Sequence, residues 1–251
     1  MSVLKVRELT KVFSLADGTT KYAVDRVSFS VEEGEFLGVV GRSGCGKSTL
    51  LRLIAGLETK DGGSICIDGV ELGPDRESRK AARQKMAMIF QQPQSAFDPR
   101  RTLGWSICEP LMVRGVKRTE AETRAKELLS EVGLSGEILC RYPREVSGGQ
   151  CQRAAIVRAL LVKPRLLLAD EVTSALDVVT QKEIVALLAR LCKEEKIACL
   201  FITHDLPLLD KTADRVLVMQ DGQKREEGQL KELLAGSHSA ALQELLEAQL
   251  L

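Results

Sequence analysis

The chain has 251 residues, 44% of them hydrophobic, which is enough apolar material for one large domain or two small ones with a real core. Its 36 lysines and arginines against 35 acidic residues leave a net charge of +1, which excludes a whole-molecule field drawing it to nucleic acid or to an anionic membrane surface. The seven cysteines (Cys45, Cys66, Cys108, Cys140, Cys151, Cys192 and Cys199) form an odd, scattered set with no Cys-x-x-Cys pair, a pattern of small buried hydrophobes rather than of a metal site or disulfide framework.

Residues 1–10 alternate apolar and polar and lack the basic start and apolar stretch of a signal peptide, so the chain is expected to stay in the cytosol. No apolar run approaches the roughly 20 residues of a membrane-spanning helix. Residues 3–9 and 24–31 alternate in period two, with the turn-forming Ala16-Asp17-Gly18 between them, and read as strands of an antiparallel layer. Residues 36–40 form a short, wholly apolar run leading into a glycine-rich loop and then a helical pattern (Leu50, Leu51, Leu53, Ile54, Leu57), which marks a central parallel strand. Three further buried-strand candidates, 86–90, 166–169 and 198–202, are separated by helical material, so an α/β sheet with right-handed crossovers is expected. Residues 92–143 are mostly helical in pattern, clearest at 120–132, with Pro93, Pro99 and Pro110 as expected breakers. The stretch 229–251 reads as one or two amphipathic helices.

The loop Gly41-Arg42-Ser43-Gly44-Cys45-Gly46-Lys47-Ser48-Thr49 fits G-x-x-x-x-G-K-[ST] between an expected strand and an expected helix. Glycines let the backbone turn tightly, so that successive N–H groups and the helix N-terminus face phosphate oxygens. Lys47 is placed to reach the β- and γ-phosphates of a nucleoside triphosphate, and Ser48 to offer a hydroxyl to Mg²⁺, which prefers hard oxygen ligands. A thiol at a helix N-terminus has its thiolate favoured, so alkylation of Cys45 is expected to block nucleotide binding. Downstream, Leu166-Leu-Leu-Ala-Asp170-Glu171 is an apolar strand ending in two carboxylates. Their directions differ, so Asp170 can hold the metal through its water shell while Glu171 polarises the attacking water. Ser147-Gly148-Gly149-Gln150 opens another helix and forms a second anion-binding N-terminus. Two phosphate-binding helix ends served by one acidic pair imply two chains associated head to tail, each closing the other's nucleotide site.

With these ordered motifs the chain resembles the nucleotide-binding subunit of an ATP-binding-cassette (ABC) transporter along nearly its whole length. The resemblance implies an α/β P-loop NTPase fold of ABC type, a RecA-like core with an antiparallel β subdomain and an inserted helical subdomain. The expected division of residues 1–251 is a catalytic core with β subdomain over 1–91 and 164–228, a helical subdomain carrying the signature turn over 92–163, and a helical tail over 229–251. It implies that Gln91 contacts the metal and senses the transporter, that Asp177 in Ser174-Ala175-Leu176-Asp177 reaches across the dimer, and that His204 contacts the γ-phosphate. His238 keeps an ordinary reading. Phe13 matches the aromatic that stacks on the base, with Tyr22 as second choice, and the preference for ATP over GTP rests on the resemblance alone. Val146 stands where leucine is usual in the signature, and Val172 where proline commonly follows the acidic pair.

The segment from Gln91 to Thr102 (QQPQSAFDPRRT), together with residues 198–206 and the tail, is similar to that of peptide and nickel importers. Larger peptide-importing members continue well beyond this tail, which tilts the expected cargo toward nickel or a metal chelate. The implied partners are a second ATP-binding subunit, membrane permease subunits and, indirectly, an extracytoplasmic solute-binding protein, with no nucleic acid. The implied location is the cytoplasmic face of the cell membrane. A GTPase switch would need an Asn-Lys-x-Asp motif, which is absent. Non-transport cassette proteins usually carry two cassettes or a long coiled-coil insertion, and neither is present.

Overall fold

The computed structural model describes residues 1–14, 18–172, 177–235 and 240–249. Ala16, Asp17, Ser174, Ala175, Leu176 and His238, singled out from the sequence, lie outside the described residues. In chain order the elements are β1 (Ser2–Ser14), β2 (Thr20–Glu32), β3 (Phe36–Val40), α1 (Lys47–Ile54), β4 (Gly62–Ile67), β5 (Val70–Glu71), α2 (Arg76–Gln84), β6 (Met86–Ile89) and α3 (Leu103–Val113). There follow α4 (Arg118–Glu131), α5 (Gly148–Leu160), β7 (Leu166–Asp170), α6 (Val178–Glu194), β8 (Ala198–Ile202), β9 (Arg215–Gln220), β10 (Gln223–Gly228), α7 (Leu230–Ala235) and α8 (Ala240–Gln249).

Two sheets form. One is antiparallel, in the order β2-β1-β4-β5. The other runs β10-β9-β3-β8-β7-β6, parallel except for β10, which pairs antiparallel with β9. The antiparallel pair β1–β2 extends well past the alternation seen in the sequence. A register shift between Val6 and Leu9, with Glu8 in the left-handed region at φ 46°, lets the apolar side chains stay on the buried face. Four strands go beyond the sequence expectation: β4, the two-residue β5, β9 and the polar edge strand β10. β9 carries the same apolar run, Val216-Leu217-Val218-Met219, as the other central strands.

The parallel strands are apolar on both faces because helices and the first sheet cover both sides. Leu37, Val39, Leu166, Leu168, Ala198, Leu200, Ile202, Leu217 and Met219 face α1 and the antiparallel sheet. Phe36, Val40, Leu167, Ala169, Cys199, Phe201, Val216 and Val218 face the opposite cluster, which is continuous with the apolar sides of α3, α4, α5 and α6. Each fully buried Leu, Ile, Val or Phe contributes about 1.5–3 kcal/mol relative to exposure, so these two layers fix the strand ends from which the functional loops leave.

Pro110 does not break a helix. It sits inside α3, where it cannot donate to the carbonyl of Ser106 one turn earlier, and Arg158 Nε from α5 donates to that oxygen at 2.9 Å instead. Arg158 Nη2 also bonds Glu109 at 3.0 Å, so a single side chain repairs the helix defect and ties α3 to α5.

Candidate functional site

The loop after β3 is held open by two glycines that no other residue could replace. A Cβ on Gly46, whose φ is 109°, would collide with the carbonyl oxygen of Ala23, and a Cβ on Gly41 would collide with Met219 O and lie 2.6 Å from Cys45 Sγ. Gly46 caps α1, and Lys47, only 5% exposed, lies with its Nζ at 2.6 Å from Gly41 O and 3.0 Å from Arg42 O. The ammonium is thereby held under the loop by two carbonyls, with Cys45 Sγ as a weak third acceptor at 3.9 Å.

This loop forms one wall of a cleft of about 380 Å³ lined by Phe13, Lys21, Ala23, Ser43, Gly44, Gly46, Lys47, Ser48, Thr49 and Glu171. Phe13, 38% exposed, presents its ring there, with Lys11 Nζ 5.0 Å from the ring centroid. Tyr22, the second choice, is not among the residues that line the cleft. Lys21, a cation the sequence reading passed over, sits directly across the β1–β2 ladder from Phe13, and the pairing register would have revealed it. Arg42 turns away from the cleft: its Nη1 lies 3.4 Å from Glu244 Oε2 in α8.

Cys45 overturns its expectation. The side chain is buried at 7% exposure, and desolvation raises the thiol above its ordinary range despite the lowering effect of Lys47. It packs beneath Gly41 as a small hydrophobe, and the thiolate that alkylation requires is disfavoured.

Four loops converge because four parallel strands lie side by side, in agreement with the rule that ligands bind beyond the carboxyl ends of an α/β sheet. The phosphate loop leaves β3, Gln91 follows β6, Glu171 follows β7 and His204 follows β8. Glu171 adopts φ 44° while its N–H donates to Ile202 O at 3.0 Å, which turns its carboxylate out of the line of β7. Its Oε2 accepts from Gln91 Nε2 at 3.1 Å, and its Oε1 lies 3.5 Å from His204 Nδ1. Beside it, Asp170 Oδ1 lies 3.4 Å from Ser48 Oγ. Burial and the neighbouring charge of Glu171 together raise the Asp170 carboxyl above its usual range. The loop carrying His204 is anchored by Thr203, a buried residue the sequence reading did not single out, whose hydroxyl accepts from Asp205 N at 3.0 Å and whose N–H bonds Val39 O at 3.2 Å.

Ser147, Gly148, Gly149 and Gln150 do not come to this cleft. Ser147 caps α5, with Ser147 Oγ accepting from Gln150 N at 3.2 Å and Gln150 Oε1 accepting from Ser147 N at 3.0 Å, a reciprocal capping box that occupies the Gln150 side chain. Asp177 caps α6 by accepting from Thr180 N at 3.0 Å and Thr180 Oγ1 at 2.7 Å, and these bonds, the hydroxyl's above all, hold its carboxyl below the usual range. A Cβ on Gly149 would lie 3.8 Å from Thr180 Cγ2, so the two helix starts are neighbours on one rim. Val146 and Val172 both pack into the main core, where either apolar type serves. Among the described residues no group of three or more His, Cys, Asp or Glu side chains could hold a metal ion, and no helix is long and apolar enough to cross a membrane.

The sequence model of the ABC transporter family matches residues 24–174. The chain is 42% identical over 242 residues to the oligopeptide transport ATP-binding protein OppF of Escherichia coli K12, covering 92% of this chain and 72% of that protein. It is 39% identical over 246 residues to the nickel import ATP-binding protein NikE of Escherichia coli O157:H7, covering 96% and 92%. Among solved structures it resembles a dimeric post-hydrolysis state of the ATP-binding cassette MJ0796 bound to ADP and Pi, with a TM-score of 0.80 and 32% identity, over 90% of this chain and 98% of that one.

Proposed function

Because the chain belongs to the ABC transporter family, we propose that it is the ATP-hydrolysing subunit of an importer of the peptide and nickel class, and that its cleft and its signature turn belong to two different nucleotide sites. The observation that carries this reading is the meeting of Gln91, Glu171 and His204 at the end of the cleft walled by residues 43–49.

In this reading the adenine stacks on Phe13, and the triphosphate lies along the N–H groups of residues 43–49. Lys47 Nζ exchanges part of its bonding to Gly41 O and Arg42 O for β- and γ-phosphate oxygens. Glu171 takes the proton of a water that attacks the γ-phosphorus; the bond to the β–γ bridging oxygen breaks, and ADP and phosphate leave. His204, beside the same carboxylate, orients the γ-phosphate and the water, while Gln91 holds Glu171 in place and reports its state to 92–163, the stretch we treat as the moving helical arm. Ser48 Oγ and Asp170 Oδ1 meet beside the cleft and Gln91 would add its amide oxygen, hard donors that suit Mg²⁺; the triphosphate and water would complete the set, since no cluster among the described residues could hold a metal by itself. When bound, Mg²⁺ supplies charge neutralisation on the phosphates.

The rim bearing Ser147, Gly148, Gly149 and Asp177 lies away from the chain's own cleft. It is free to complete the cleft of a second ATP-binding subunit, the same chain or a paralogue. Closure of two such clefts moves the helical arms, which drive the permease subunits at the cytoplasmic face of the membrane. Cargo reaches the permease from an extracytoplasmic solute-binding protein, and its choice between nickel or a metal chelate and a peptide is made there. The test is to co-purify the native complex, identify its membrane subunits and measure which cargo stimulates ATP hydrolysis. A chain that hydrolyses no ATP with or without any permease would overturn the reading.

A further inference from the structure

The tail helix α8 is seated on the catalytic core. Ala241, Leu242 and Leu245 are 4%, 0% and 4% exposed, and they join the apolar cluster that also holds Val216 and Val218 of β9. The C-terminal part of the same strand and the turn after it support the phosphate loop: Met219 O lies against Gly41, and Gly222 N–H donates to Cys45 O at 2.9 Å. Helix and loop therefore share one rigid base, so the backbone of Glu244 is fixed relative to the loop. From there its Oε2 reaches Arg42 Nη1 at 3.4 Å. Arg42 is also the residue whose carbonyl receives Lys47 Nζ, at 3.0 Å.

Building on the nucleotide site described above, we propose that Glu244 is a positioning residue that restrains ATP affinity: it holds the Arg42 guanidinium against the tail helix, off the cleft, and cancels its charge. A tetra-anionic substrate entering a loop flanked by an unpaired guanidinium gains attraction, whereas the same loop beside an ion pair does not. Both partners are well exposed, at 70% for Arg42 and 42% for Glu244, so the effect is limited to what an exposed pair contributes. It also depends on salt, because charges in water are screened over about 8 Å at physiological ionic strength.

The experiment compares the full chain with E244Q, R42Q and the double variant, using fluorescent ATP-analogue titration and steady-state ATPase assays at about 0.05 M and about 0.5 M salt. In E244Q the half-saturating ATP concentration is expected to fall about two- to fivefold at low salt, the range of an exposed ion pair, with kcat unchanged, and the difference should shrink at high salt. In the R42Q background the same Glu244→Gln change is expected to do nothing, because the partner through which it acts is gone. An unchanged or raised half-saturating concentration in folded E244Q, or the same fall in the R42Q background, overturns the proposal. If the unmodified chain neither binds nor hydrolyses ATP, it is the nucleotide-site reading itself that fails.

Discussion

Glu171→Gln separates binding from chemistry. The amide is isosteric with the carboxylate: its carbonyl oxygen can keep the 3.1 Å bond from Gln91 Nε2, and the backbone N–H to Ile202 O at 3.0 Å does not involve the side chain. The substitution removes the proton acceptor and the carboxylate charge beside Asp170 while keeping the side chain's shape. Positioned general bases contribute about 10²–10⁴-fold in rate. At about 1.36 kcal/mol per tenfold, this is about 2.7–5.4 kcal/mol of barrier. ATP binding to the variant should therefore stay close to that of the unmodified chain while single-turnover hydrolysis falls by at least about a hundredfold. Blocked hydrolysis with intact binding should also accumulate a closed, ATP-loaded dimer, visible as a doubling of mass on size exclusion in ATP and absent in ADP. A Glu171→Gln chain that hydrolyses ATP within about threefold of the normal rate refutes the assignment of the base.

Lys47→Ala removes the buried ammonium and should weaken ATP binding by at least about a hundredfold, two charge-assisted bonds' worth, in an equilibrium titration; binding within about tenfold of normal contradicts the role given to Lys47. Asp170 has a carboxyl raised by burial and by Glu171, so its charged form is disfavoured in the fold. Its favourable contribution to stability is present below the ordinary value of 3.8 and is lost as the pH rises through the elevated one. Asp170→Asn should accordingly raise Tm at pH 7, with the gain shrinking as the pH is lowered toward 4, while ATPase activity is lost; a gain independent of pH contradicts the cause given. Arg158→Met should leave the Ser106 carbonyl unpaired and cost about 1–3 kcal/mol, read as a drop in Tm of about 2–4 °C per kcal/mol; an unchanged Tm would show that α3 closes around Pro110 without help. Brief alkylation of the folded protein should modify exposed Cys140 and spare Cys45, as mass spectrometry of the digested product would show.

The sequence by itself determined the pieces. A phosphate loop needs glycines, a lysine and a hydroxyl at contiguous spacing, because a single turn and the start of one helix build it, and residues 41–49 declare all of this locally. The same holds for the capped start of α5 and for the apolar run that ends at Asp170 and Glu171. Even the missed strand β9 shows its buried run openly, whereas β10, with sequence QKREEG, carries no strand signal, since an edge strand is held by its neighbour's backbone rather than by its own side chains.

Tertiary structure alone decided what depends on contacts between distant segments. The order β8-β7-β6 sets Gln91, Glu171 and His204 around one carboxylate, although 113 positions separate the first from the last; neither residue type nor local period encodes strand order. Burial, a property of the packed core, turned Cys45 from an expected reactive thiol into packing. Arg158 comes from α5 to repair α3 at Pro110, a rescue invisible to any local rule about proline. The placement of Ser147 and Asp177 away from the cleft follows from the packing of α5 against α6. The chain's local chemistry could be read along the sequence, while the meeting of its parts had to wait for two apolar faces of one sheet to choose their cover.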